Sequence, residues 1–198
     1  MTAQPPAFFE GTEMPTTGWW EVLWPDPAAV LKAVGLEPEM DAVDLCSGNG
    51  WFTLPMARMA RRVLAVDIDA AMLDAARAYL EQHRVANVTY READAYALPE
   101  FAQDADFIFM ANAFHGVPDR PRLARAVREA LKPGGRFTIV NWHPRPREET
   151  PVLGEPRGPR TELRLSVEET TAAVTAGGLM HVATVKLPPY HYGAIFRR

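Results

Sequence analysis

The 198-residue chain is 47% hydrophobic and 23% charged, a composition that supports one globular domain over residues 1–198 with a sizeable core. Its net charge of −4, with no long Lys/Arg run, leaves no electrostatic footprint for nucleic acid as a partner. One cysteine excludes an intrachain disulfide and a cysteine-cluster metal site, and neither an export signal nor an apolar run of membrane-spanning length is visible, so the expected location is the reducing cytoplasm.

Residues 1–25 carry Pro5, Pro6 and Pro15 together with Trp19, Trp20 and Trp24, which is not the composition of a disordered tail. Two readings stay open for this segment: packing on the outside of the domain, or a lid over an active site. Asp26 and Pro27 read as the N-cap and first residue of a helix over 28–34 that Gly35 ends. The apolar run through Ala42, Val43 and Leu45 predicts a strand that carries Asp44 and ends in Cys46-Ser47-Gly48-Asn49-Gly50, where the glycines permit a sharp turn and close backbone approach to a ligand. A helix over 51–60 follows, with Pro55 admissible only in its first turn. Residues 63–66 predict a buried parallel strand ending at Asp67-Ile68-Asp69. A carboxylate at that second strand tip is suited to accept hydrogen bonds from both hydroxyls of a ribose, while Asp69 caps a helix whose stripe is Met72, Leu73, Ala76, Tyr79 and Leu80.

Further strands are predicted over 88–91, running toward Asp94-Ala95, and over 107–110, running toward Asn112 and His115. Asp119 caps a helix bearing Leu123, Val127 and Leu131, and Lys132-Pro133-Gly134-Gly135 ends it before a strand over 137–140. The Pro/Arg/Glu-rich connection 142–165 is longer than most loops in compact domains, which makes it functional or disordered. Ser166 and Glu169 match a capping box for a helix to about Ala176, stopped by Gly177-Gly178. Strands over 180–187 and 193–196, joined through Pro188-Pro189-Tyr190-His191-Tyr192, complete the chain as a hairpin.

Five strand–helix units plus this hairpin predict an α/β fold: a doubly wound, Rossmann-like, seven-stranded and mostly parallel sheet with an antiparallel C-terminal hairpin. The glycine loop is not a dinucleotide fingerprint, because Thr53 stands where the third glycine is required, and this disfavours a nicotinamide oxidoreductase. It is not a phosphate loop either, lacking Gly-Lys-Ser/Thr. The ordered set Asp44-x-Cys46-x-Gly48-x-Gly50, Asp67, Asp94-Ala95, Asn112 to His115 and Leu131-Lys132-Pro133-Gly134-Gly135 resembles the class I S-adenosylmethionine-dependent methyltransferases over residues 40–198. Cys46 departs from the pattern, standing where that family usually has glycine. The resemblance implies S-adenosylmethionine as cofactor and a small-molecule methyl acceptor. It also implies cofactor contacts from Asp44, Cys46, Ser47, Gly48, Gly50, Phe52, Asp67, Ile68, Asp94, Ala95 and Asn112.

Methyl transfer needs a positioned acceptor and removal of its proton, and histidine is suited to that near neutral pH. The strand-tip candidates are Asn112, His115, His143, Tyr190 and His191, with His115 and His143 as bases and Tyr190 or His191 as orienting groups. The tips of strands four and five carry no carboxylate pair, so no hard-cation site is expected. The alternative from another class is a non-catalytic nucleoside-binding or regulatory module, which release of S-adenosylhomocysteine in the presence of acceptors separates from an enzyme. The oligomeric state is not written in the chain.

Overall fold

The computed structural model describes residues 9–12 and 14–198. Residues 1–8 and 13 of the segment 1–25 lie outside that description. The rest of the segment contains a helix, α1 (Thr17–Leu23), that carries Trp19 and Trp20 and that turn-rich local composition does not announce. Its C-cap is Trp24, 2% exposed, whose ring meets Phe52 edge-on at 5.5 Å and lies 4.4 Å from the His191 ring. Burial of two large indoles, and not helix propensity, holds this short helix in place.

Local capping chemistry defines the other helices. In α2 (Pro27–Ala33) the Asp26 carboxylate accepts the Ala29 N–H at 2.9 Å. The remaining helices are α3 (Thr53–Met59), α4 (Ala70–Gln82), α5 (Arg120–Ala130) and α6 (Val167–Thr175). Asp69 caps α4 and Asp119 caps α5 through the N–H groups of Ala71 and Arg122. Ser166 and Glu169 close a reciprocal capping box at α6. Helix α3 begins two residues later than expected, because Trp51 and Phe52 complete the turn after the glycine loop; Pro55 still falls in the first helical turn, where it forfeits no hydrogen bond.

The strands are β1 (Asp41–Leu45), β2 (Arg62–Asp67), β3 (Val88–Glu92), β4 (Ala105–Ala111), β5 (Leu131–Trp142), a two-residue pair β6 (Pro151–Val152) and β7 (Glu155–Pro156), then β8 (Met180–Leu187) and β9 (His191–Arg197). The main sheet runs β3-β2-β1-β4-β5-β9-β8, parallel from β3 to β5 and antiparallel at β9 and β8, as the pattern of alternating units predicts. Strand β4 shows why its sequence is apolar throughout. Phe107 and Phe109 face the core shared with α1–α3, and Ile108 and Met110 face the core under α5 and α6.

Two strand boundaries also differ from expectation in kind. Lys132 to Gly135 is not a turn ahead of β5 but a bulge within it: Leu131 pairs with Ala105, Arg136 with Phe107, and Gly134 takes φ 80° between them. Strand β9 starts at His191, because Trp142 on β5 extends far enough to pair with it. The connection 142–165 is built, not loose. It wraps β6, β7 and two short 3-10 turns around Arg164, a side chain 5% exposed that donates to the carbonyls of Arg145, Pro159 and Arg157 and to the Thr150 hydroxyl.

Candidate functional site

The parallel strands end on one edge of the sheet, where open α/β folds place their ligands. A cleft of about 1050 Å³ lies there, roughly the upper end of the 300–1,000 Å³ of small-ligand pockets and room for a nucleoside next to a second molecule. Its floor is Leu45, Cys46 and Gly48, and one side carries Asp67, Asp69 and Asp94 at the ends of β2 and β3. Trp142, Arg147, Arg157 and Arg160 form the β5 side, and Phe9 to Thr12 with Met14 and Pro15 cover the top.

The loop after β1 folds by left-handed backbone at Cys46 (φ 63°), Gly48 (φ 53°) and Gly50 (φ 86°). Cys46 adopts there a conformation that L side chains rarely take, which accounts physically for glycine being the usual occupant of such a position. Gly50 is required for packing as well: a Cβ would sit 3.1 Å from the Ala76 Cβ and 3.0 Å from Leu80 on α4. The Gly48 N–H donates to Asp67 Oδ2 at 2.8 Å, and the Asp69 N–H donates to Asp67 Oδ1 at 3.0 Å, so the loop and the β2 tip are one unit. Burial pushes the Asp67 carboxyl up from its usual range, against the lowering effect of these N–H donors.

Of the residues expected at the site, Cys46, Gly48, Asp67, Ile68, Asp94, Ala95, Asn112 and His115 line the cleft. Asp94 also caps the short helical turn after β3 by accepting the Tyr96 N–H. Others do not reach it. Asp44 and Ser47 line a small adjoining hollow of about 40 Å³, with Asp44 accepting the Thr53 hydroxyl at 2.6 Å. Gly50 faces α4, and Phe52 is a core residue between Trp24 and Phe109. His143 lies outside the cleft against the Tyr192 ring, since strand alternation turns it to the face opposite Trp142. Tyr190 stacks on Trp142 and donates to the Pro151 carbonyl.

The two remaining histidines are buried and engaged. His191, 1% exposed, is held between the Trp24 and Trp142 rings with Nε2 3.0 Å from Asn112 Oδ1, so it supports Asn112 from behind and is not open to the cleft. Its enclosure by aromatic rings pulls its pKa well below the ordinary value and keeps it neutral. His115 has Nδ1 3.2 Å from Asn141 Oδ1 and Nε2 donating to the Gly11 carbonyl at 2.9 Å; burial lowers its pKa too. As it stands, the ring is a tie for the covering segment. Among the described residues, no three His, Cys, Asp or Glu side chains gather to hold a metal ion.

Sequence reasoning missed the arginine wall, and of its two readings of residues 1–25 the lid is the one that Phe9 to Thr12, Met14 and Pro15 favour, although the sequence did not say what they fasten to. Arg density in 142–165 was the available signal for the wall. For the fastening, the signals are Gly11 and Gly116: a Cβ on Gly116 would collide with the Glu10 backbone, and one on Gly11 would lie 2.9 Å from Leu163. Glu10 is ion-paired with Arg160, which fastens the cover to the wall.

Cys46 is half-buried on the cleft floor, and desolvation followed by the carboxylates of Asp67, Asp44 and Asp94 raises its thiol pKa well above the ordinary value. The folded protein is therefore expected to react with iodoacetamide at neutral pH at least about tenfold more slowly than the urea-unfolded chain. Equal rates would show that the loop is open.

Comparison with known proteins agrees with this geometry. A family model described as a methyltransferase domain matches residues 42–135. The ubiquinone biosynthesis O-methyltransferase of Acinetobacter baylyi is 33% identical over 106 residues, which cover 52% of this chain and 44% of that protein. A SAM dependent methyltransferase from Aquifex aeolicus shares the fold with a TM-score of 0.79 at 22% identity, over 93% of this chain and 99% of that one. An S-adenosylmethionine dependent methyltransferase from Mesorhizobium loti gives 0.67 at 25% identity, over 88% and 97%. The chain spans less than half the length of the curated relatives it matches.

Proposed function

We propose that this chain, which matches a methyltransferase domain over residues 42–135, is a class I S-adenosylmethionine-dependent methyltransferase that transfers a methyl group from that cofactor to a small molecule held in the same cleft. One juxtaposition carries the reading: Asp67, fixed by N–H donors from Gly48 and Asp69, keeps a lone pair free on each carboxylate oxygen at the rim of a nucleoside-sized cleft. Those lone pairs suit the two ribose hydroxyls. Asp94 and Ala95, on the cleft wall after β3, are suited to hold the adenine, and the turned backbone of Cys46 to Gly48 allows close approach of the remainder. The buried Asn112 Nδ2 at the cleft wall has no acceptor among the described residues, which fits a donor held for a bound ligand.

The bound sulfonium supplies a methyl group already activated by its own charge, so the chain's task is alignment, exclusion of water and proton removal. Asn112, with its carbonyl side tied to His191, presents its amide N–H groups to the acceptor. His115 gains an open ring nitrogen only when Gly11 releases it, so opening of the cover and exposure of a base are the same event. The lone thiol, Cys46, within this loop supports a reducing compartment such as the cytoplasm. No helix among the described residues is long and apolar enough to cross a membrane.

Asp67→Asn, which keeps a carbonyl acceptor beside the Gly48 and Asp69 N–H groups, is expected to weaken S-adenosylhomocysteine binding by about 1.5–3 kcal/mol, the worth of hydrogen bonds to a charged group. Calorimetric titration of both proteins checks it. Unchanged affinity removes Asp67 from the site, and tighter binding of NAD than of S-adenosylhomocysteine overturns the class. Release of S-adenosylhomocysteine in the presence of acceptors separates an enzyme from a binding module.

A further inference from the structure

The two sides of the cleft differ in charge. Asp67, Asp69 and Asp94 lie at the ends of β2 and β3, while Arg147, Arg157 and Arg160 rise from the connection after β5. Since β5 is three positions from β2 in the sheet, the two groups are separated by roughly three strand spacings, about 14 Å, and do not neutralise one another directly. Of the three arginines, Arg160 is satisfied by Glu10 and Glu162. Arg147 and Arg157 form no ion pair among the described residues.

Both are held by rigid backbone. The Arg157 carbonyl accepts from Thr150 Oγ1 at 3.0 Å and from Arg164 at 2.9 Å, and its N–H donates to the Thr150 carbonyl. Arg147 reaches the Gly158 carbonyl through Nε at 3.0 Å and is anchored to Thr161 through its backbone N–H. Arg157 Nε is buried with no hydrogen-bond partner among the described residues, although nearly all buried donors are satisfied in folded proteins. Beneath them Arg164 spends its donors on carbonyls and the Thr150 hydroxyl, so it adds a positive charge to the region and forms no ion pair among the described residues. Two guanidinium groups without an ion-pair partner among the described residues, on a hydrogen-bonded wall, form a fork-shaped receptor for a planar or tetrahedral oxyanion.

We infer that the methyl acceptor carries an oxyanionic group, a carboxylate or a phosphate, bound by Arg147 and Arg157 on the β5 side of the cleft. This rests on the methyltransferase reading, which assigns the β1–β3 side to the cofactor and leaves the β5 side to the acceptor. The anion then fixes the acceptor's far end, and the nucleophile projects toward Asn112 and the cofactor. Neutral analogues of the same shape are rejected, because they leave both guanidinium groups desolvated and unpaired.

The test titrates the full chain by calorimetry, first with S-adenosylhomocysteine alone, then, once saturated with it, with benzoate, benzamide, phenyl phosphate and phenol. Benzoate or phenyl phosphate is expected to bind at least about tenfold more tightly than its neutral partner, in a manner weakened by salt, and the stronger of the two anions identifies the group. Arg157→Gln and Arg147→Gln are each expected to lower that affinity about tenfold or more with S-adenosylhomocysteine affinity unchanged. Either variant suffices should the other fail to fold. Equal binding of benzamide and benzoate, no binding of either anion, or anion affinity retained in both variants overturns the inference. A parallel loss of S-adenosylhomocysteine affinity overturns it too, by assigning the arginines to the cofactor's own carboxylate. Failure of the wild-type chain to bind S-adenosylhomocysteine in the first titration overturns the proposed function, and that result is read before any acceptor is added.

Discussion

Asp44→Asn raises the unfolding free energy at about pH 8.5 by up to about 4 kcal/mol and changes it little near pH 4. Asp44 is 3% exposed, and its enclosure pushes the carboxyl from 3.8 up to about 7, a shift opposed by the Thr53 hydroxyl and reinforced by the nearby Asp67 charge. The unfolded chain ionises Asp44 near 3.8 and the folded chain only near 7. Below the first value both states are protonated and nothing is lost; between the two, the unfolded state releases a proton that the folded state keeps, so stability falls as pH rises and is fully diminished above about 7. Asparagine keeps an acceptor for Thr53 and carries no charge to desolvate. The buried imidazoles of His115 and His191 act in the opposite sense: folding holds them neutral, so their contribution is present above about 6.5 and is lost as pH falls. For that reason the difference between variant and wild type, followed by urea unfolding across this range, isolates Asp44. A difference independent of pH would show that Asp44 ionises normally.

Arg164→Ala is expected to cost about 3 kcal/mol and to convert residues 145–163 from protease-resistant to readily cleaved. The side chain holds four acceptors spread over 15 residues of chain and lies 5.0 Å over the Trp142 ring, so no neighbour can replace it. Burial pulls its pKa down to about 10, which still leaves it charged across the neutral range. Removing it strands the Pro159 and Arg145 carbonyls away from water and uncovers one face of Trp142. Arg164→Lys should recover part of the stability, because an ammonium keeps the charge but lacks the planar fork that spans four acceptors. Limited trypsin digestion with mass mapping of the cuts checks the result. Wild-type resistance in the alanine variant would mean that the β6–β7 pair and its turns hold together without Arg164.

The sequence alone determined whatever acts within a few residues along the chain. Asp26, Asp69, Asp119 and Ser166 are caps because a carboxylate or hydroxyl satisfies an N–H two or three positions away, and that geometry needs no tertiary context. The alternation of apolar strands with helical stripes likewise dictated the seven-stranded mixed sheet, and parallel β1 to β5 then had to bring the ends at Cys46, Asp67 and Ala111 to one edge. Only the tertiary structure decided what those tips meet. His115 finds its partners 26 and 104 residues away, and His191 finds Asn112 at a separation of 79, distances over which no periodicity carries information. The strand pleat, by alternating side chains, turned His143 away from the cleft although it is adjacent in sequence to Trp142, which lines it. Long-range burial of Trp20 and Trp24 made a helix where composition reads as loop, and one buried arginine ordered a connection that composition reads as loose, because in both places the energy comes from groups distant in the chain.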